Sequence, residues 1–161
     1  MSSTTIAAAP GSSASGGEQS QQYTTFYVAE MFFGVEVLKV QEVLRYQQMT
    51  PVPLAPPVIS GLINLRGQIV TAIDLRRRLG LEPREGGLMP LNVVVRSDDG
   101  AVSLLVDEIG DVVEVNPDLY EPPPENMLEQ AREMIRGVYK FPDRLLLVLA
   151  TDLAQQVESA N

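Results

Sequence analysis

Apolar residues along this chain come in short runs, broken by turn-forming residues too often for long helices. From Tyr23, the run YTTFYVAEMFFGVEV is dense in β-branched and aromatic residues. Gly34 interrupts it, which predicts a strand, a turn and a second strand. The period then changes. Val37, Val40 and Val43 with Leu44 recur at 3–4 spacing, the pattern of a short helical turn. MTPVPLAPP carries Pro51, Pro53, Pro56 and Pro57, a density that excludes a central strand and leaves an extended edge or loop. In GLINLRGQIVTAIDL, two apolar runs meet around Arg66 and Gly67, as in a tight hairpin. Asp74 is placed to cap a short helix over RRRL, and Gly80 to stop it.

After a linker at Glu82–Gly87, a second β-rich half begins near Met89. PLNVVVRS and AVSLLVDEI flank Asp99 and Gly100, which predicts a type I′ hairpin. Gly110 allows a further reversal into DVVEV. Residues 116–125 read as an acidic, proline-rich surface loop, and NMLEQAREM has helical propensity with few apolar positions. MIRGVYKF and RLLLVLA flank a turn at Pro142-Asp143, and Asp152 is placed to cap a last helix, LAQQVE. Gly61–Leu75 and Gly137–Leu153 echo one another. Each runs glycine, apolar strand, turn, apolar strand, Asp-Leu, helix. Closely spaced strands without alternating long helices favour small barrels over a parallel α/β sheet, and the echo implies one barrel per half.

Composition narrows the function. At 161 residues and 45% apolar, the chain has room for one domain or two small subdomains sharing a core. Residues 1–22 are Ser/Ala/Gly/Gln-rich and predict a flexible tail. That stretch has no Lys or Arg and no apolar signal core, and no run approaches the ~18 residues of a membrane helix, so the expected location is cytoplasmic without membrane insertion. With no Cys and no His, disulfides, thiolate metal sites, His-dependent triads and phosphorylatable histidine are excluded. Neither cofactor nor metal is expected. The net charge of −9 argues against nucleic acid as a partner. The charge is also uneven, with residues 1–80 at +1 and residues 81–161 at −10. Asp98-Asp99 and Asp107-Glu108 are the tight acidic pairs, and both read as solvated turn residues. Gly61 and Gly67 read as relief of backbone strain at turns.

The stretch Phe33–Leu79 resembles the CheW family of chemotaxis adaptors. The elements that carry the resemblance are FG-apolar-x-V-x-E-V, the proline-rich edge, the hairpin GLINLRG and the closing IDLR. LLVDEIGDVVEV and GVYKFPDRLLLVLATDL extend it over roughly Tyr23 to Val157. The resemblance implies an all-β chain with short helices, two SH3-like five-stranded barrels packed side by side. The corresponding boundaries are about 23–85 for the first subdomain, 86–151 for the second and 152–158 for a terminal helix. It implies no enzymatic activity. The implied partners are the regulatory domain of the histidine kinase CheA and the cytoplasmic tip of methyl-accepting chemoreceptors, with recruitment to membrane-associated receptor arrays. An adaptor of a pilus-motility or other chemosensory pathway is the alternative. The family's receptor groove falls on Val37, Val40 and Val43, which in the plain reading are three core valines. Its acid and arginine fall on Glu42 and Arg66, as a partner-contact or organising pair.

Overall fold

The computed structural model describes residues 4–6, 21–98, 100–127 and 129–155. Its strands, in chain order, are β1 (Thr4–Ile6), β2 (Gln21–Val28), β3 (Met31–Glu36), β4 (Val40–Leu44), β5 (Ile59–Leu65), β6 (Gln68–Asp74), β7 (Leu91–Ser97), β8 (Gly100–Val106), β9 (Glu108–Val115), β10 (Ile135–Phe141) and β11 (Arg144–Leu149). Helix α1 (Leu75–Arg78) follows β6, α2 (Glu129–Arg132) precedes β10, and α3 (Thr151–Ala154) follows β11.

These strands form two sheets, ordered β1-β9-β2-β3-β11-β10 and β4-β7-β8-β6-β5. Setting β1 aside, both are five-stranded and share one plan. A central hairpin, β2–β3 or β7–β8, has an antiparallel neighbour on one side, β9 or β4. On the other side lies a parallel partner, β11 or β6, which forms a hairpin with the last strand, β10 or β5. The two echoing segments are thus equivalent, as β5–β6–α1 and β10–β11–α3. Isolated bridges extend the match: Thr50 pairs with Leu62, one residue after Gly61, and Glu121 with Val138, one residue after Gly137.

The sheets do not divide the chain at residue 85. The second sheet is the contiguous stretch 40–106, and the first joins residues 21–36 to residues 108–149. The chain therefore passes between sheets twice, through a 3-10 turn at Val37–Lys39 and at Asp107. No local signal states which hairpin a following set of strands will join, so reading along the sequence assigned β2–β3 to the wrong companions. The charge asymmetry survives the new boundary. Residues 40–106 carry 7 basic and 6 acidic side chains, and the rest of the chain carries 5 and 15.

Each sheet buries apolar side chains on both of its faces, which is why many of the strands read as near-continuous apolar runs. A shared core lies between the sheets. Phe26, Phe33 and Leu147 of the first sheet meet Ile73, Val93 and Leu104 of the second, with Leu75 and Leu79 beside them. The alternate residues face away into separate clusters, Tyr23, Phe32, Tyr139 and Leu146 in one sheet and Ile63, Leu65, Val70 and Val94 in the other.

Several local expectations change. Gly34 lies inside β3, and the reversal falls two residues before that strand, at Ala29 with φ of 56°. Gly34 is required because Leu146 lies across it; a Cβ would sit 2.9 Å from the Leu146 Cδ1. Gly110 likewise lies inside β9, where a Cβ would meet the Thr25 hydroxyl at 2.5 Å. Gly100 already pairs with Ser97 inside β8, so it is not a central residue of the turn; residue 99 lies outside the described residues. Helical geometry stops at Lys39, and Val40 to Leu44 are strand, because β4 pairs along β7. Of the expected tail, Thr4–Ile6 form β1 along β9, β2 already begins at Gln21, and residues 1–3 and 7–20 lie outside the described residues. Beyond Gln155 the expected terminal helix is also outside them.

Candidate functional site

Val37, Val40 and Val43 gather where the chain first passes between sheets. Val40 and Val43 pair with Val95 and Val93 of β7, so they share the face that β7 turns to the common core. As β4 is an edge strand, that face is only partly covered. Val37 and Val40 are half-buried, Val43 is 38% exposed, and Leu38 between them is 86% exposed. The three valines are therefore a strip at the border of the core, and the most exposed apolar group there is Leu38, which the sequence pattern did not single out. Beside them opens a polar cavity of about 420 Å³, lined by Lys39, Arg96, Asp98, Thr151 and Asp152 among others.

Glu42 and Arg66 are brought together as an ion pair across the end of the second sheet. Arg66 (φ 53°) and Gly67 (φ 90°) are the two central residues of the β5–β6 turn, both in the left-handed region that a type I′ turn demands. The Asn64 side chain accepts the Gly67 N–H at 2.9 Å and fixes this tip. Gly61 is not at a turn but inside β5, where it answers a close approach, since a Cβ would stand 2.7 Å from the Thr50 backbone oxygen. The loop that returns there presents Leu54 fully exposed, at φ 65°, in a turn closed by the Ala55 N–H on the Val52 oxygen at 3.2 Å. A leucine in that conformation costs about 1 kcal/mol and gains nothing from burial. The readable signal was an apolar residue directly after Pro53, where a type II turn calls for Gly or Asn.

Asp107 overturns its reading as a solvated turn residue. Its carboxylate accepts the Ala29 N–H at 2.6 Å, Arg76 Nη2 at 2.8 Å and Arg84 Nε at 2.9 Å. Arg84 also reaches Asp74 at 3.4 Å, and Arg76 donates to the Glu82 oxygen at 2.8 Å. Burial alone would raise the Asp107 carboxyl, but hydrogen bonds from Arg76, Ala29 and Arg84 outweigh it and hold the group below the usual carboxylate range. Asp74 meanwhile caps α1, accepting the Arg76 N–H at 3.0 Å. Gly80 closes the same helix in a Schellman arrangement, its N–H on Arg77 and that of Leu81 on Arg76. Asp152 is not a cap. Ala150 holds that position, because Thr151 and Ala154 must both turn inward, and this leaves Asp152 facing out to Arg136 at 2.7 Å.

Nothing in this arrangement positions a nucleophile against a base. What it offers is a partly exposed apolar strip, Val37, Leu38, Val40 and Val43, with the Glu42–Arg66 ion pair near it. Among the described residues no helix is long and apolar enough to cross a membrane.

A family model described as CheW-like domain matches residues 22–158. The chain is 28% identical over 140 residues to a probable chemotaxis protein CheW of Rhizobium etli, covering 86% of this chain and 90% of that one. With the chemotaxis protein CheW of Bacillus subtilis it shares 30% identity over 141 residues, 88% and 90% of the two chains. The crystal structure of the scaffolding protein TtCheW from Thermoanaerobacter tengcongensis superposes with a TM-score of 0.77 at 27% identity, covering 86% of this chain and 94% of that one. Two like-ordered five-stranded sheets, a match over nearly all the described residues and relatives of the same length place the chain in the CheW family of chemotaxis scaffold proteins.

Proposed function

We propose that this chain is a non-catalytic cytoplasmic adaptor that couples the tips of methyl-accepting chemoreceptors to the histidine kinase CheA, and that receptor docks on the strip Val37, Leu38, Val40 and Val43. The observation that carries this reading is an apolar strip left open at the border of the core, where the chain leaves one sheet for the other. A receptor helix laid along it would bury those side chains by helix-in-groove packing, at ~25 cal/mol per Å² before ordering costs. Glu42 and Arg66 hold the end of the second sheet beside that strip. The kinase surface is then separate, at the loop that presents Leu54. Repetition of such small contacts in a membrane-associated array supplies avidity that one contact lacks.

A pull-down against receptor signalling fragments and kinase tests the scheme. Val40→Asp should lose receptor and keep kinase, while Leu54→Asp should keep receptor and lose kinase, each with an unchanged circular dichroism spectrum. Val40→Asp that is folded and still captures receptor at the wild-type level would sink the assignment.

A further inference from the structure

The shared plan of the two sheets gives β4 a counterpart, and the counterpart is β9. Val40 pairs with Val95, two residues before the tip pair Ser97 and Gly100 of its hairpin; Ile109 pairs with Phe26, two residues before the tip pair Val28 and Met31. Val43 and Val112 pair two residues further in, with Val93 and Thr24. Both edge strands bulge between these positions. Val40 and Ile109 each pack half-buried against the common core. The chain therefore carries the apolar edge twice.

The copies differ on their outer side. Among the described residues no strand lies beyond β4. Beyond β9 lies β1, in parallel register, with Thr4 opposite Val112, Thr5 opposite Val113 and Ile6 opposite Glu114. A bare edge strand leaves a row of backbone donors and acceptors ready to pair with any extended chain. Three residues of parallel pairing form a weak contact between separate molecules, but here both strands belong to one chain, so the pairing is intramolecular.

We propose that Thr4–Ile6 is a cap held in cis over a strand-accepting edge on β9, so that only one of the two equivalent edges, β4, is open to partners. The occupant is this chain's own segment; the site beneath it takes an extended peptide through backbone hydrogen bonds. The cap stands apart from whatever docks on β4, and its test uses neither receptor nor kinase.

The experiment compares the full chain with a variant lacking residues 1–6. Hydrogen exchange in Ile109–Val115 should be about tenfold faster in the truncated protein, with exchange in β7 and β8 unchanged. A labelled peptide of residues 1–9 should bind the truncated protein, slow that exchange again, and bind the full chain about tenfold more weakly. The same peptide with Thr5→Pro and Ile6→Pro, unable to donate along either side, should not bind. Equal exchange in the two proteins would overturn the cap, as would a peptide that binds both equally or binds despite the prolines.

Discussion

The chain passes from one sheet to the other at two equivalent places, each between the second strand of a central hairpin and the edge strand of the opposite sheet, and the two are finished in opposite ways. At Asp107 the passage is closed by charge. Two arginines and a backbone N–H converge on one carboxylate, and the side chains involved are only 11–17% exposed. At Val37–Lys39 the passage has no such lock: Leu38 projects outward, and its backbone oxygen accepts one hydrogen bond, from Arg96 at 3.3 Å. The shared strand order places the two joints at equivalent positions, and one is locked by ion pairs while the other leaves an apolar side chain exposed. The closed joint ties the β2–β3 turn to α1 and to the linker that follows it.

Unlocking the closed joint should have the largest effect. Asp107→Ala leaves Arg76 and Arg84 without their shared partner in a mostly buried site, and we expect a loss of about 3 kcal/mol in urea unfolding. The same group makes a pH prediction. Its folded-state pKa is depressed, so its contribution is complete above the ordinary carboxylate pKa of about 4 and is lost as pH falls through the lower folded value. Stability measured below that pH should therefore fall less steeply in Asp107→Ala than in the parent.

The paired glycines sharpen the comparison between sheets. Gly61→Ala sets a methyl against a backbone oxygen at a left-handed φ, and should cost about 2 kcal/mol. Gly137→Ala meets the ring of Tyr120, a half-exposed side chain that can swing aside, and should cost under about 1 kcal/mol. Equal costs, read from thermal unfolding, would show that the two crossings are equally rigid. The smallest effect belongs to Arg66→Ala. Arg66 is largely exposed, so the pair with Glu42 contributes about 0.2–1 kcal/mol, and the difference should vanish in high salt.

Features whose cause lies within a few residues were legible in the sequence. The Arg66-Gly67 turn, the Asp74 cap and the Gly80 stop are all in place, because turn and cap chemistry is local. Gly34 and Gly110 were misread as breaks because what requires them, Leu146 and Thr25, is far away in sequence. Asp107 looked solvated for the same reason: Arg76 and Arg84 precede it by a long stretch and arrive only when α1 and the linker fold back. The valine stripe was seen, but its geometry was not. A spacing of three that fits a helix also fits a strand that bulges once, and β4 is such a strand.

The split of the first sheet around residues 40–106 also sets an order of events at the ribosome. Apart from β1, its hairpin is the earliest part of the sheet pair to emerge, yet its neighbours β9 and β11 are among the last. At about 5–20 residues per second, Phe26 and Phe33 wait on the order of 10 s for β9 to β11, while the intervening sheet can assemble as soon as β8 is made. A nascent chain halted after β8 should hold a finished second sheet beside a greasy, unpaired hairpin. That is the form in which this protein would most need a chaperone.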